Sequence, residues 1–262
     1  MNYKKKQDVR EALEYETLEE TLNLNRLREL KEQKMKQTFK IDIVSDVVCP
    51  WCYIGKRRLD KAVAALSQQY DFKLYYHPFE LHPELPASGQ NQKEYLMKKF
   101  GGESTFRQLT GNVTRIAQSE GLHFDFDKQK VMPNTRKAHV IISGANEMGK
   151  QAAVSESFFD SYFCRGIDLS SEENLITVGI GAGLERKQIE TWLADESRFR
   201  HVEQNEKQFS SMGIHAVPFY ILNDRYSMSG AQPTQTFINA LQEVGSKSAI
   251  ETESSCSADG YC

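Results

Sequence analysis

The chain has 262 residues and a formal net charge of −3, enough length for one large domain or two small ones with a sizeable core. The near-balanced charge gives no electrostatic case for a nucleic-acid partner, and no apolar run approaches the roughly 18 residues of a membrane-spanning helix. Five cysteines are too few for a disulfide-built scaffold. No short apolar leader with a small-residue cleavage site is visible either, so the expected setting is a reducing cytoplasm.

Residues 1–38 form a charged extension. Lys4-Lys5-Lys6 opens a segment dense in Glu, Lys and Arg, with Val9, Leu13, Leu18 and later leucines at loosely helical spacing but in no sustained heptad. Its two readings are a solvated extension and a partner-binding helix. The body starts near Phe39. A β-rich run at 41–48 predicts a strand, and Leu59, Val63 and Leu66 predict a helix over 53–69. A second strand is expected at 72–76, followed by an irregular stretch carrying Pro78, Pro83 and Pro86. From about 92 to 212 the text is helical in short pieces broken by glycines. Two strands follow at 217–222 and 226–230, joined by Asn223-Asp224-Arg225, a hairpin signal. Pro233 then suits the first turn of a last helix reaching about Val244. Strand, helix, strand, helical block, strand, strand, helix is the order of an α/β thioredoxin-like fold with an all-helical insertion between its halves. The expected division is 39–91 and 197–245 for the thioredoxin-like part, 92–196 for the insertion and 246–262 for a flexible tail.

Cys49-Pro50-Trp51-Cys52 stands at the first strand–helix junction. Two cysteines separated by two residues can close one bond, and a helix N-terminus favours the thiolate form of the first. Thiol–disulfide exchange needs that attacking thiolate. The spacing also suits half of a zinc site, but zinc requires a second close Cys or His pair, and none follows at that distance. No metal is therefore expected. On chemical grounds Cys49 is the exposed nucleophile and Cys52, one turn in, the more shielded resolving thiol. Pro50 fits the first helical turn, and Trp51 is expected as a surface aromatic that touches substrate.

The motifs then point to a family. Asp46-Val47-Val48-Cys49-Pro50-Trp51-Cys52-Tyr53-Ile54-Gly55-Lys56 is joined by His77-Pro78-Phe79-Glu80-Leu81-His82-Pro83 and by Asn134-Thr135-Arg136-Lys137-Ala138-His139. Phe159-Asp160-Ser161-Tyr162-Phe163, Gly213-Ile214-His215-Ala216-Val217-Pro218-Phe219 and Ser229-Gly230-Ala231-Gln232-Pro233 complete the set. In joint order and spacing these resemble the DsbA superfamily, and within it the FrnE-type thiol–disulfide oxidoreductases. The resemblance implies an enzyme that exchanges disulfides with protein or peptide thiols through Cys49 and Cys52. A separate reductant or oxidant would recycle it. No cofactor is implied beyond the cysteine pair, with glutathione as a candidate reductant. It also implies a cis bond at Val217-Pro218, beside the dithiol, where the Val217 backbone pairs with an extended substrate.

The alternative on the same plan is a glutathione-dependent hydroxychromene-carboxylate isomerase or kappa-class glutathione transferase. Those enzymes usually carry a single Ser where Cys49 stands. His139 reads as a packed core histidine or an acid–base group. Glu80 reads as a proton acceptor near Cys52 or as a salt-bridged loop carboxylate, and Cys164 as a small buried hydrophobe. Cys256 and Cys262, in a small polar terminus, form a candidate second dithiol that exchanges with the first. The oligomeric state stays open.

Overall fold

The computed structural model describes residues 36–258, with side chains as far as Lys247. Most of the charged extension and Cys262 therefore lie outside the described residues, as does the side chain of Cys256, so the candidate second pair is not described. Strand β1 (Gln37–Ser45) begins four residues earlier than the apolar run predicts and ends three earlier. Asp46, Val47 and Val48 instead form a turn, closed by the Cys49 N–H donating to the Asp46 carbonyl at 3.0 Å. That turn delivers Cys49 to the mouth of helix α1 (Pro50–Leu66). Strand β2 (Tyr70–Pro78) runs parallel to β1 and pairs with it along its full length, from Gln37 opposite Tyr70 to Ser45 opposite Pro78. Phe39, Ile41, Ile43 and Val44 are all buried, as expected for a strand covered on both faces.

The insertion is helical apart from a two-residue antiparallel ladder between β3 (Gln90–Asn91) and β4 (Val131–Met132). Its helices are α2 (Gln92–Phe100), α3 (Glu103–Ser119), α4 (Arg136–Ala145), α5 (Gln151–Phe163), α6 (Glu172–Gly181) and α7 (Arg186–Ala194). Helix α8 (Glu196–Ser211) returns the chain to the sheet. Val217 and Pro218 precede β5 (Phe219–Leu222) rather than belonging to it, and Pro218 has no N–H to give a ladder. β5 pairs antiparallel with β1 and with β6 (Tyr226–Ser229), so the sheet order is β2-β1-β5-β6. The hairpin uses left-handed Asn223 and Asp224, at φ 48° and 58°, a region those residue types tolerate. Asn223 is tied back to Lys40 of β1 by two hydrogen bonds of 2.9 Å.

Helix α9 (Thr234–Ala258) packs on α1 and continues beyond the Val244 end expected for it. Helices α4, α5 and α8 pack against β2. One apolar core runs from the sheet through α1 into the insertion. Tyr53 joins the two parts, stacked between Phe124 and Phe159 at centroid distances of 5.7 and 5.0 Å. Beside it the Glu156 carboxylate receives Lys56 at 2.9 Å, Arg57 at 2.6 Å and the Tyr53 hydroxyl at 2.7 Å. Among the described residues no helix is long and apolar enough to cross a membrane.

Candidate active site

Cys49 caps α1 and Pro50 fills its first position, where the missing proline N–H costs nothing. The Cys49 carbonyl accepts from the N–H groups of Cys52 and Tyr53 at 3.0 and 3.3 Å. Both thiols are free, and the Cys49 side chain is among the groups that raise the Cys52 pKa. On its other side the Cys49 thiol donates to the Val217 carbonyl at 3.8 Å. The Val217–Pro218 bond is cis.

The expected exposure of Cys49 is corrected. Cys49 is 4% exposed and Cys52 2%. The turn at residues 46–48 tucks Cys49 under the helix end, where half-buried Val217 packs against the same core. Trp51 is the exposed member of the motif, at 39%. Burial drives the Cys52 thiol well above its ordinary range, reinforced by the hydrogen bond with Cys49 and by the charge of Cys49, while the backbone of Asp46 pulls it back.

Gly55 explains itself by space. A Cβ there would stand 2.3 Å from Tyr220 Oη and 3.2 Å from Pro218 Cγ. Only a glycine lets α1 lie this close to the proline loop, which carries Val217 to Cys49.

Beneath the dithiol three of the sequence motifs meet. Asp46, with no exposed surface, accepts from the Leu81 N–H at 2.8 Å and the Val48 N–H at 3.4 Å. His139 Nε2 lies 3.4 Å from its carboxylate and 3.2 Å from the Phe79 carbonyl. Burial works against a charged imidazole at His139, yet the hydrogen bond and charge of Asp46, helped by Glu206 and Glu80, raise its pKa overall. Glu80 is the salt-bridged carboxylate of the two readings: Arg136 Nε donates to it at 2.7 Å, and its second oxygen has no hydrogen-bond partner. Asn134 links the same helix start to the loop, donating to the Leu85 carbonyl at 3.2 Å and accepting from the Arg136 N–H at 3.1 Å. Of these buried carboxylates, Asp46 is the one whose charge acts on the Cys52 thiol, a role the sequence reading did not give it.

Glu206 is the second residue that reading missed. Burial and the neighbouring Glu80 carboxylate raise its pKa to about 7, against the pull of His139 and Arg136. A linear signal did exist, because Val202, Glu206 and Phe209 follow i, i+4, i+7 on α8, and the two apolar members are buried. Cys164 differs from expectation in being only half-buried, at the C-terminal end of α5. Burial, with Asp160 beside it, raises its thiol pKa to about 11. Among the described residues no three His, Cys, Asp or Glu side chains are grouped to hold a metal ion.

Residues 40–242 match the family model described as the DSBA-like thioredoxin domain. The chain belongs to that family. It is similar to a protein of Streptomyces coelicolor described as a probable DsbA oxidoreductase, with 30% identity and a TM-score of 0.72 over 78% of this chain and 89% of that one. It also resembles the cytosolic disulfide reductase DsbM from Pseudomonas aeruginosa, whose structure contains glutathione. There identity is 17% and the TM-score 0.52, over 82% and 98% of the two chains. Among curated sequences it matches the Bacillus subtilis protein YwbO, described as uncharacterized, at 22% identity over 216 residues, 80% of this chain and 99% of that one. Membership makes the chain a DsbA-like thiol oxidoreductase by family, in an α/β thioredoxin fold with a helical insertion.

Proposed function

We propose that the protein is a thiol–disulfide oxidoreductase acting on protein or peptide disulfides through Cys49 and Cys52. The observation that carries this is the pair itself: two free thiols at the mouth of α1, Cys49 at its cap and Cys52 in its first turn. The Cys49 thiolate, facing the unpaired amides of the helix end, attacks one sulfur of the substrate disulfide and expels the other as a thiolate. Cys52, whose proton burial retains, then loses it and attacks Cys49. That step releases the second substrate thiol and leaves a Cys49–Cys52 disulfide, with two electrons passed to the substrate. The reverse sequence oxidises a dithiol. Val217, Pro218, Pro50 and Trp51 line the approach to the sulfur, and the Val217 carbonyl offers an acceptor to a substrate N–H.

In a reducing cytoplasm the couple runs as a reductase, with glutathione or another thiol resetting it; the fold likeness to DsbM, described as a cytosolic reductase, supports that direction. An isomerase or transferase of bound glutathione uses one group at the Cys49 position, and the second sulfur of Cys52 argues against it. The test is trapping. Cys52→Ser incubated with a disulfide-bonded protein substrate should accumulate mixed disulfides on Cys49, while Cys49→Ser should form none and show no exchange. Adducts on Cys52 would reverse the roles. Full exchange by both variants would end the proposal.

A further inference from the structure

A cavity of about 270 Å³ opens beside the dithiol, between the start of α1 and the insertion. Val48, Pro50 and Trp51, the sequence neighbours of Cys49, line it, and Leu96, Val113, Met132 and Phe163 are among its apolar walls. Trp51, Phe100 and Leu109 line it while remaining 39, 38 and 44% exposed. Large apolar side chains left in water around one concavity mark a binding surface. Among the described residues lining it, Lys99 is the one Lys, Arg, Asp or Glu.

Gln92 and Gln129 also line the cavity, although they are only 1 and 3% exposed. Gln92 Nε2 donates to Gln129 Oε1 at 2.9 Å. One hydrogen bond between two carboxamides leaves an acceptor and a donor over, and both Gln92 Oε1 and Gln129 Nε2 lack a partner. Buried amide atoms without partners are costly and uncommon. A peptide group supplies the matching N–H and C=O. At about 30 Å³ per water the volume equals roughly nine waters, the scale of one large apolar side chain with its peptide unit.

We propose that this cavity holds an apolar residue flanking the reacting cysteine of a polypeptide substrate, with the Gln92–Gln129 pair taking its peptide group. The proposal names the substrate class of the oxidoreductase reading and rests on it. In the reduced, ¹⁵N-labelled full chain, N-acetylphenylalaninamide should shift the side-chain amides of Gln92 and Gln129 and the Trp51 indole in a saturable way. N-acetylglycinamide should not. Replacing both glutamines by Leu, and separately the exposed Leu109→Ser, should each weaken binding at least tenfold. The disulfide of N-acetyl-Cys-Phe-amide should be reduced with kcat/KM at least tenfold above that of N-acetyl-Cys-Gly-amide. No saturable shift, or equal shifts from the two amides, overturns the proposal, and so does equal turnover of the two disulfides. Selective binding with neither disulfide turned over leaves the cavity its ligand but ends the oxidoreductase reading, so the two failures are distinguishable.

Discussion

Asp46 and His139 lie 3.4 Å apart in the interior beneath the dithiol, one in the turn that presents Cys49 and the other on the first insertion helix packed against β2. The contact joins the two parts of the molecule at the point where the chemistry is proposed. It buries a carboxylate whose charge, after burial and the influence of Cys49, adds to what holds the Cys52 proton in place.

His139→Ala should leave Asp46 with only backbone donors and cost about 3–5 kcal/mol, the usual result of removing one partner of a buried pair. Asp46→Asn in the same background should recover part of the loss, because the uncompensated charge is gone while the Leu81 N–H keeps an acceptor. Denaturant unfolding of the two single variants and the double variant measures the coupling. Additive losses would show that the pair does not interact.

Asp46→Asn should also make Cys52 easier to ionise, since the Asp46 charge is one of the influences raising its pKa. The rate of Cys52 alkylation against pH in Cys49→Ser protein reads this directly. The profile should move to lower pH, and an unmoved profile would remove Asp46 from the site.

Glu206 has a folded pKa of about 7, above the ordinary value of about 4.3 for the unfolded chain. The folded state then binds more protons between those values, so this group's contribution falls as pH rises from about 4 to 7 and stays low above 7. Glu206→Gln should raise Tm relative to wild type at pH 8 by several degrees and have little effect at pH 4. A gain independent of pH would point to packing rather than charge.

Gly55→Ala should destabilise by about 1–3 kcal/mol through overpacking against Tyr220 and Pro218. The displaced proline loop should slow exchange as well. Tyr220→Phe removes the hydroxyl that the new methyl meets first, and that hydroxyl has no hydrogen-bond partner. The double variant should therefore regain stability and rate by comparison with Gly55→Ala. Thermal unfolding with an insulin-reduction assay checks both.

The local signals account for what was legible in the chain. Apolar runs and helical spacing placed β1 and α1 to within three or four residues and marked 92–212 as helical in pieces, and Asn223-Asp224-Arg225 placed the hairpin, because each depends on neighbours in sequence. Cys49 misled because a helix-capping residue looks exposed until the core and Val217 are brought against it. The Asp46–His139 and Glu80–Arg136 pairs were hidden for the same reason, being choices between distant partners that only packing makes. Glu206 and Lys56 carried a readable anomaly: each is a charge on an apolar helical stripe, Lys56 between Cys52 and Leu59, and each lies in a charge network. Gln92 and Gln129 carried none, since a surface amide and a buried one look alike in sequence.

The most direct test equilibrates the intact protein across a series of glutathione redox buffers, quenches with acid and alkylates the free thiols, then maps the products by mass. A Cys49–Cys52 disulfide that forms and disappears reversibly, as one two-electron transition, is the predicted result. Cys49 and Cys52 remaining alkylatable in the most oxidising buffer, or glutathione accumulating on Cys49 without the internal bond closing, would contradict it.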